Sequence, residues 1–392
     1  MTFIVREPLL DAAQQLVGYE LAWQSARNGE LSSDDDLLEL ASFLASQLTH
    51  QESGWLLPDS LLFIEATPAV IASELVQSLS PRHIVFRLTA ADLADEATLK
   101  TASALRQQGF GIALRDADGL AANSPLLAVA SHVEATHPVD KVVQAPDAPK
   151  TIVRQIPDWQ TYDACSAAGF DVLIGKLYLT PRADGVKKDL NPAQLTILQL
   201  MDMVRKNADV RALEEVLKRD ATLSYKLFRY INSVGFGLGA EIQSLRHAVT
   251  MLGYTPLYRW LSLLLATAST NAHSAVLMQT AIVRGRFAEL AGHGILPKNE
   301  AENLFVVGMF SLLDRLLGMP MEQVLEKIQL SESISQALLS REGVYGPFLT
   351  LAESLEPDNG DVNALSDALF LSPRQVNEAH LAALSWAGSI KL

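Results

Sequence analysis

The feature that most constrains the fold is a glycine-rich corner between two amphipathic segments, from Asp220 to Gly253. Asp220 is a natural N-cap, because its carboxylate can accept from the first free amides of a helix. Three glycines within residues 235–239 interrupt the helix that follows, since glycine takes positive φ at little cost. Ser244 is the next predicted cap. Helical spacing predicts two buried stripes, formed by Leu223, Leu227, Tyr230 and Ile231 and then by Leu245, Ala248, Val249 and Leu252.

This string resembles the signature of HDOD domains, catalytically silent and modified relatives of the HD-GYP phosphohydrolases. The family reads D-x-x-L-x-x-K-L-L-R-x-x-N-S-x-x-F-G and then I-x-S-I-x-x-A-I-x-x-L-G. The matching positions are Asp220, Leu223, Lys226, Leu227, Arg229, Asn232, Ser233, Phe236, Gly237, Ile242, Ser244, Ala248, Val249, Leu252 and Gly253. We predict that Asn232 caps the C-terminus of the first helix.

Charge divides the chain into two unequal halves. Residues 1–185 carry 12 Lys and Arg against 24 Asp and Glu, whereas residues 186–392 carry 19 against 21. A length of 392 residues suits two domains. We therefore predict a first domain over 1–183, a polar linker over 184–192 and a second domain over 193–392.

Composition excludes several classes of protein. A hydrophobic content of 49% indicates a well-cored globular chain, and Cys165 as the only cysteine excludes an intrachain disulfide. An acidic first half and a second half without a dense basic cluster argue against nucleic-acid binding. The most apolar run, Trp260 to Ala268, is too short to span a bilayer, and the N-terminus has no signal-peptide pattern. We expect a soluble, cytoplasmic protein.

In the first half, short apolar strands alternate with helices. Predicted strands are 17–23, 61–66, 83–88, 111–114 and 172–174, and predicted helices are 36–48, 69–79, 91–107 and 159–168. This alternation predicts a parallel sheet with right-handed crossovers, most simply a β/α barrel. A doubly wound open sheet is the alternative, which the lack of a glycine fingerprint after the first strand disfavours.

The opening REPLLDAAQQLVGYELAWQ looks like the start of EAL domains, the barrel phosphodiesterases of cyclic di-GMP. FIEATP, HIVFRLTAADL, LRQQGFGIALRDADG and AAGFDVLIGKLYLTP follow in that family's order. The resemblance runs from about Phe3 to Pro181. It implies a site of carboxylates and an asparagine that hold divalent cations at the strand ends, with a general base.

Several positions of that site have changed. The positions that the resemblance assigns to it are Glu20, Gln24, Glu65, Arg87, Arg115, Asp116 and Glu134. Glu20 keeps the motif's glutamate, but Gln24 replaces the phosphate-binding arginine and Glu65 the metal asparagine. Arg87 replaces a glutamate, and Arg115 replaces the first aspartate of the family's DDFG motif. Each arginine puts like charge against a dication, which costs several kcal/mol in a poorly screened pocket. We therefore expect no hydrolysis, and we expect Arg87 and Arg115 to pair with Glu20, Glu65 or Asp116.

The second half shows helical patterns throughout and predicts an all-α bundle. Leu195, Leu198 and Met201 lead the first helix, and Asp209 caps the next. Later predicted helices are 254–270, 275–292, 303–317, 321–328, 331–339, 348–356 and 373–386. In metal-bearing relatives the adjacent His-Asp pair would fall at Ser311 and Leu312, which cannot replace it. The eight histidines show no paired metal spacing, so we expect no metal and no cofactor.

The two resemblances together describe a class of bacterial EAL–HDOD signal-transduction proteins. They imply a non-catalytic regulator that binds signalling proteins, such as cyclic di-GMP enzymes or sensor kinases, through the surfaces of its folds. The alternative is a cyclic di-GMP-binding sensor or a residual phosphodiesterase. A homodimer through an apolar helix face is a further expectation.

Overall fold

A computed structural model describes residues 2–27, 32–50, 54–57, 59–117, 124–135, 148–180, 190–232, 242, 244–268, 274–328, 330–356 and 360–390. The chain divides into two compact units. The barrel unit contains residues 1–180, 354–362 and 376–381, and the helical unit contains residues 181–353, 363–375 and 382–392. The predicted linker lies mostly outside the described residues, and Asn191 at its end caps the first helix of the helical unit.

The barrel unit is a closed eight-stranded barrel, so the predicted barrel is confirmed and the open sheet is wrong. Each strand pairs with its neighbours in chain order, and the last closes on the first. The strands are β1 Ile4–Leu10, β2 Leu16–Trp23, β3 Leu61–Glu65, β4 Ile84–Thr89, β5 Gly111–Arg115, β6 His132–Ala135, β7 Lys150–Val153 and β8 Val172–Ile174. A short antiparallel pair, Thr49–His50 with Gly54–Trp55, lies outside the barrel.

The sequence pattern predicts a parallel barrel, but one strand of the barrel is antiparallel to its neighbours. β1 runs antiparallel to both β2 and β8, whereas the neighbours from β2 to β8 are parallel. A five-residue connection is enough to join β1 to β2, because antiparallel neighbours need no crossover helix. β1 therefore enters as a hairpin partner ahead of the repeating strand–helix units.

Among the described residues, the barrel unit has helices at the four predicted places, in the predicted order, and two short helices that were not predicted. They are α1 Gln24–Arg27, α2 Asp34–Leu48, α3 Pro68–Ala72, α4 Glu96–Gln108, α5 Pro125–Val129 and α6 Trp159–Ala168. Polar side chains start them: Ser33 forms a capping box with Asp36 on α2, and Asp95 and Asp158 cap α4 and α6. Predicted helix 69–79 is α3 followed by a 3-10 turn over Glu74–Ser78, because Ser73 leaves helical geometry between them.

Alternate residues of the strands fill the barrel interior. One layer is apolar and comprises Leu9, Phe63, Val85, Ala113, Ile152, Val172 and Ile174. Side chains two residues farther along a strand point to the same side of the sheet, at the next level of the barrel. This rule predicts that charged residues such as Glu65, Arg87 and Arg115 form a ring at the mouth directly above the apolar layer.

Two late segments of the chain belong to the barrel unit and anchor β1. Buried Arg6 contacts Glu356 at 3.0 Å and His380 at 2.8 Å. The other ring nitrogen of His380 lies 3.0 Å from the Ile4 carbonyl, and Asn377 accepts from the Ile4 amide at 2.8 Å. The buried polar groups of β1 are therefore satisfied by residues from the end of the chain. The sequence had not predicted this return.

The helical unit is all-α among its described residues, as predicted. Its helices, some of which extend beyond the unit's bounds, are α7 Pro192–Arg205, α8 Val210–Leu217, α9 Ala221–Ile231, α10 Leu245–Leu252, α11 Tyr254–Thr267, α12 Ser274–Gly292, α13 Lys298–Phe310, α14 Leu313–Leu317, α15 Met321–Ile328, α16 Glu332–Ser340, α17 Gly346–Ser354, α18 Val362–Ala368 and α19 Pro373–Ser389.

One predicted helix in this unit was wrong in its bounds, and one helix was missed. The segment predicted as one helix over 303–317 is α13 and α14, separated at Ser311 and Leu312. Leu195 is 53% exposed, because the buried stripe of α7 starts instead with Gln194 and Ile197. α18 was not predicted.

The helix corner has the predicted caps. Asp220 accepts from the Leu223 amide at 2.9 Å, and Ser244 accepts from the His247 amide at 3.1 Å. We predicted that Asn232 caps the C-terminus of its helix, but its side chain instead binds the backbone of Ile242. Its amide group donates to the Ile242 carbonyl at 2.8 Å and accepts from the Ile242 amide at 2.7 Å. Ser233, Phe236 and Gly237 lie outside the described residues.

No helix within the described ranges combines the length and the apolar character needed to cross a bilayer.

Candidate functional site

The mouth of the barrel brings together charged residues from seven strands or their ends. Strand register places Glu7 opposite Glu20 and Glu65 opposite Arg87, while Arg115 ends β5. Glu134 lies on β6, and Arg154 follows β7 directly. Four carboxylates and three guanidinium groups thus share this end of the barrel, so the charges nearly balance.

Glu20 is at the centre of this cluster and is 3% exposed. Arg87 donates to its Oε1 at 2.8 Å, and Arg154 donates to its Oε2 at 2.5 Å. Arg87 also contacts Glu134 through Nε at 2.9 Å and through Nη2 at 2.8 Å. Both oxygens of Glu20 therefore bind a guanidinium group, and Arg87 bridges two carboxylates.

Arg154 completes the network. It lies 3.6 Å from Glu134 and 3.8 Å from Glu7, in addition to its contact with Glu20. Burial alone lowers the pKa of Arg154, but the negative charges of Glu20, Glu134 and Glu7 outweigh it and raise the pKa above its ordinary value. This side chain therefore stays cationic at every pH at which the barrel is folded.

The remaining positions of the predicted site lie at the edge of this cluster. Arg115 pairs with Glu65 at 3.0 Å, so both predicted arginine pairings, with Glu20 and with Glu65, are present. Asp116 follows β5 with a φ of 53° and is exposed, and it pairs with neither arginine. Gln24 begins α1 and donates to the Gly360 carbonyl at 3.3 Å.

The donor set is a poor fit to a divalent cation. Mg²⁺ and Ca²⁺ need several oxygen ligands with free lone pairs. Here Arg87 and Arg154 occupy the inward carboxylate oxygens and put two positive charges where a cation would lie. Among the described residues, no three or more His, Cys, Asp or Glu side chains form a group that could hold a metal ion.

The positions expected for the His-Asp pair lie inside the helical unit. Ser311 donates to the Gly308 carbonyl at 2.7 Å and accepts from Arg284 at 3.2 Å, and Leu312 is buried. Buried Arg284 also contacts Glu353 at 2.9 Å, a carboxylate that Arg341 binds as well. A guanidinium group and an apolar side chain thus occupy this place.

Sequence reasoning missed two members of the barrel network, Glu7 and Arg154. Glu7 lies on β1 and Arg154 follows β7, and neither strand was predicted. Neither stretch carries a strong strand pattern, because three polar or proline residues interrupt IVREPLL and KTIV begins with two polar residues.

Comparison with known proteins identifies one of the two units. Residues 190–337 match the HDOD domain family. This segment is an HDOD domain. The match confirms the resemblance carried by the corner between Asp220 and Gly253.

Two curated proteins resemble nearly the whole chain. YuxH of Bacillus subtilis (strain 168), an uncharacterized protein, is 23% identical over 414 residues, covering 99% of this chain and 98% of YuxH. Cyclic di-GMP phosphodiesterase CdgJ of Vibrio cholerae is 24% identical over 383 residues, covering 91% of this chain and 85% of CdgJ.

Solved structures also match part of the chain. The PaMucR phosphodiesterase in its c-di-GMP complex has a TM-score of 0.34 and 16% identity, and the match covers 44% of this chain and 93% of that one. The Xanthomonas citri FimX EAL domain in complex with c-diGMP has a TM-score of 0.33 and 16% identity, covering 44% of this chain and 84% of that domain.

Proposed function

We propose that this chain is a non-catalytic signal-transduction protein, in which a degenerate EAL-like barrel and an HDOD domain act through contacts with other proteins. The observation that carries the proposal is the double engagement of Glu20 by Arg87 and Arg154. A phosphodiesterase of this kind needs a dication to polarise the phosphate and to activate water. The guanidinium groups take the place of that charge but cannot generate a metal-bound hydroxide.

The HDOD domain supports the same conclusion. With Ser311 and Leu312 at the expected metal positions, and Arg284 donating to Ser311, the domain lacks the ligands for a phosphohydrolase centre. Both units thus keep a fold that is associated with phosphodiester chemistry while their charged groups are paired internally.

An exposed aromatic side chain gives the contact hypothesis a specific residue. Phe370 is 92% exposed and has a φ of 56°, in the left-handed region. A bulky residue there costs about 1–2 kcal/mol, and the exposed ring gains nothing from burial in return. Aromatic side chains are enriched at the centres of protein interfaces, so we assign Phe370 as a contact residue.

Two experiments test the proposal. The purified full chain is incubated with cyclic di-GMP and Mg²⁺ or Mn²⁺, and we expect no linear product above a protein-free blank. A photo-crosslinking amino acid replaces Phe370 in the native cell, and we expect a discrete protein adduct. The same group at exposed Glu322 is the control. Metal-dependent turnover would overturn the non-catalytic assignment.

A cyclic di-GMP sensor is the second candidate. CdgJ, which is similar over most of this chain, is named for cyclic di-GMP, and the Nε–H of Arg115 is buried without an acceptor among the described residues. Calorimetric titration with cyclic di-GMP, with and without Mg²⁺, distinguishes the two. Binding without turnover that weakens in Arg115→Ala would favour a sensor.

A further inference from the structure

The HDOD domain contains a cavity of about 510 Å³. Its wall includes neither the charged residues of the barrel mouth nor Ser311 and Leu312. Ligand sites for small molecules commonly measure about 300–1,000 Å³ and are mostly apolar with a few placed polar groups. The end of α7, the start of α11, the middle of α13 and the start of α16 surround this cavity. Its apolar and aromatic wall includes Val204, Tyr258, Trp260, Val306 and Ile334.

Glu302 on α13 supplies a carboxylate to this wall. It forms no hydrogen bond or ion pair with any residue that the structure describes. A half-buried carboxylate beside an apolar wall requires hydrogen-bond donors, because desolvation without them is costly. A ligand that fits here should therefore present N–H groups to Glu302.

Arg259 on α11 lines the same cavity, and its guanidinium group is held in place. Glu289 holds its two terminal nitrogens at 2.7 and 2.9 Å, and its guanidinium carbon lies 3.7 Å from the centre of the Phe305 ring. The Nε–H is buried and has no acceptor among the described residues. Burial lowers the pKa of Arg259, and the negative charge of Glu289 opposes this effect.

Tyr258 supplies a donor to the cavity. Burial raises the pKa of its hydroxyl to about 12, so the group remains protonated at neutral pH. The hydroxyl has no hydrogen-bond partner within the described part of the chain. The cavity thus combines one acceptor, the Glu302 carboxylate, one donor, the Tyr258 hydroxyl, and aromatic faces suited to a flat ring.

We infer that this cavity binds the guanine base of a nucleoside or nucleotide. Guanine carries adjacent N1–H and N2–H groups, which together satisfy one carboxylate, and its O6 and N7 are acceptors for a donor such as the Tyr258 hydroxyl. Aromatic side chains stack on such bases. This inference is independent of the barrel and goes beyond the proposed function.

The test is calorimetric titration of the full chain with guanosine, with adenosine and cytidine as comparison ligands. We expect guanosine to bind at least about tenfold more tightly than either, because a site built to bind the guanine edge leaves buried groups unpaired with another base. Glu302→Gln replaces the acceptor by an amide of similar shape and should weaken guanosine binding by about tenfold or more. Glu326→Gln, at an exposed position of α15 outside the cavity wall, is the matched control and should bind guanosine like the wild type.

Val306→Trp provides a second test that does not depend on charge, because it fills the cavity. We expect loss of guanosine binding, with circular dichroism showing that the helices remain. Absence of guanosine binding to the folded wild type would overturn the inference, as would unchanged binding in Glu302→Gln. Since cyclic di-GMP also carries guanine, its titration should be repeated with Glu302→Gln. If the binding heat of cyclic di-GMP disappears in Glu302→Gln, the ligand binds in the cavity beside Glu302. If the binding heat is unchanged, the ligand binds in the barrel.

Discussion

Removal of the Arg87 side chain should destabilise the barrel far more than removal of the Arg115 side chain. Arg87 is 9% exposed and bridges Glu20 and Glu134, whereas Arg115 is 25% exposed and binds only Glu65. Breaking a buried ion pair costs about 3–5 kcal/mol, because it leaves an uncompensated charge. Arg154 still neutralises Glu20 in Arg87→Ala, so we expect the free energy of unfolding to decrease by about 3 kcal/mol. Arg115→Ala should cost about 0–1 kcal/mol.

Hydrogen exchange followed by mass spectrometry measures this difference within the barrel unit itself. Peptides that cover β2 and β4 report the free energy of opening of the strands that carry Glu20 and Arg87. A loss of about 3 kcal/mol accelerates their exchange about 100-fold. Arg87→Lys keeps the charge but cannot place separate N–H groups on two carboxylates, and it should fall between the wild type and Arg87→Ala.

The reasoning would be refuted if Arg87→Ala exchanged no faster in β2 and β4 than Arg115→Ala. That result would mean that the desolvation cost of Arg87 equals its pairing with Glu20 and Glu134. An alternative assay gives the same comparison, because tryptophans at positions 23, 55 and 159 report unfolding of the barrel unit once Trp260 and Trp386 are replaced by phenylalanine.

Three further predictions concern a buried histidine in the barrel unit, and an asparagine and two glycines in the helical unit. Burial lowers the pKa of His132 to about 4, so the unfolded chain, with a pKa near 6.5, takes up the proton first. The contribution of neutral His132 to the free energy of unfolding is therefore complete above pH 6.5, and about 3 kcal/mol of it is lost as the pH decreases to 4. Urea titrations across this range should show a smaller decrease in the free energy of unfolding for His132→Leu. Asn232→Ala removes two hydrogen bonds to Ile242 and should cost about 1–3 kcal/mol. The cost is measured as a shift in the unfolding midpoint of the helical unit. A shift smaller than the experimental error of that midpoint would contradict the role of this side chain. Gly253→Ala meets no neighbouring atom, but its φ of 84° is strained for alanine and should cost about 1–2 kcal/mol. Gly308→Ala places its Cβ 2.4 Å from the backbone of Gly285 and should cost more. Equal thermal midpoints for the two variants would contradict this close approach of two helices.

Much of the fold was predictable because its strands and helices carry periodic apolar patterns. The predicted strand over 172–174 and the predicted helix over 159–168 agree with β8 and α6 residue by residue. β1 escaped prediction because Arg6, Glu7 and Pro8 interrupt its apolar run. The partners that make Arg6 tolerable in a buried strand lie 350 or more residues away, and no local pattern contains them.

The candidate site was predictable where residues could be compared with a family motif. The pairing of Arg87 and Arg115 with carboxylates followed from charge alone. Arg154 was not predictable in this way, because β7 is short and begins with polar Lys150 and Thr151. The cavity near Glu302 depends on four helices that are distant in sequence, so periodicity could not reveal it.

The late segments of the barrel unit have a consequence for how the protein is made. Arg6 is 3% exposed, and its counter-ion Glu356 is translated 350 residues later. A ribosome that adds about 5–20 residues per second needs about 20–70 s for that distance. During this interval β1 cannot be buried without an unpaired charge, and the edges of β2 and β8 that it covers remain open. The first strand to leave the ribosome is therefore the last to find its native environment, and until then these open edges can pair with another chain.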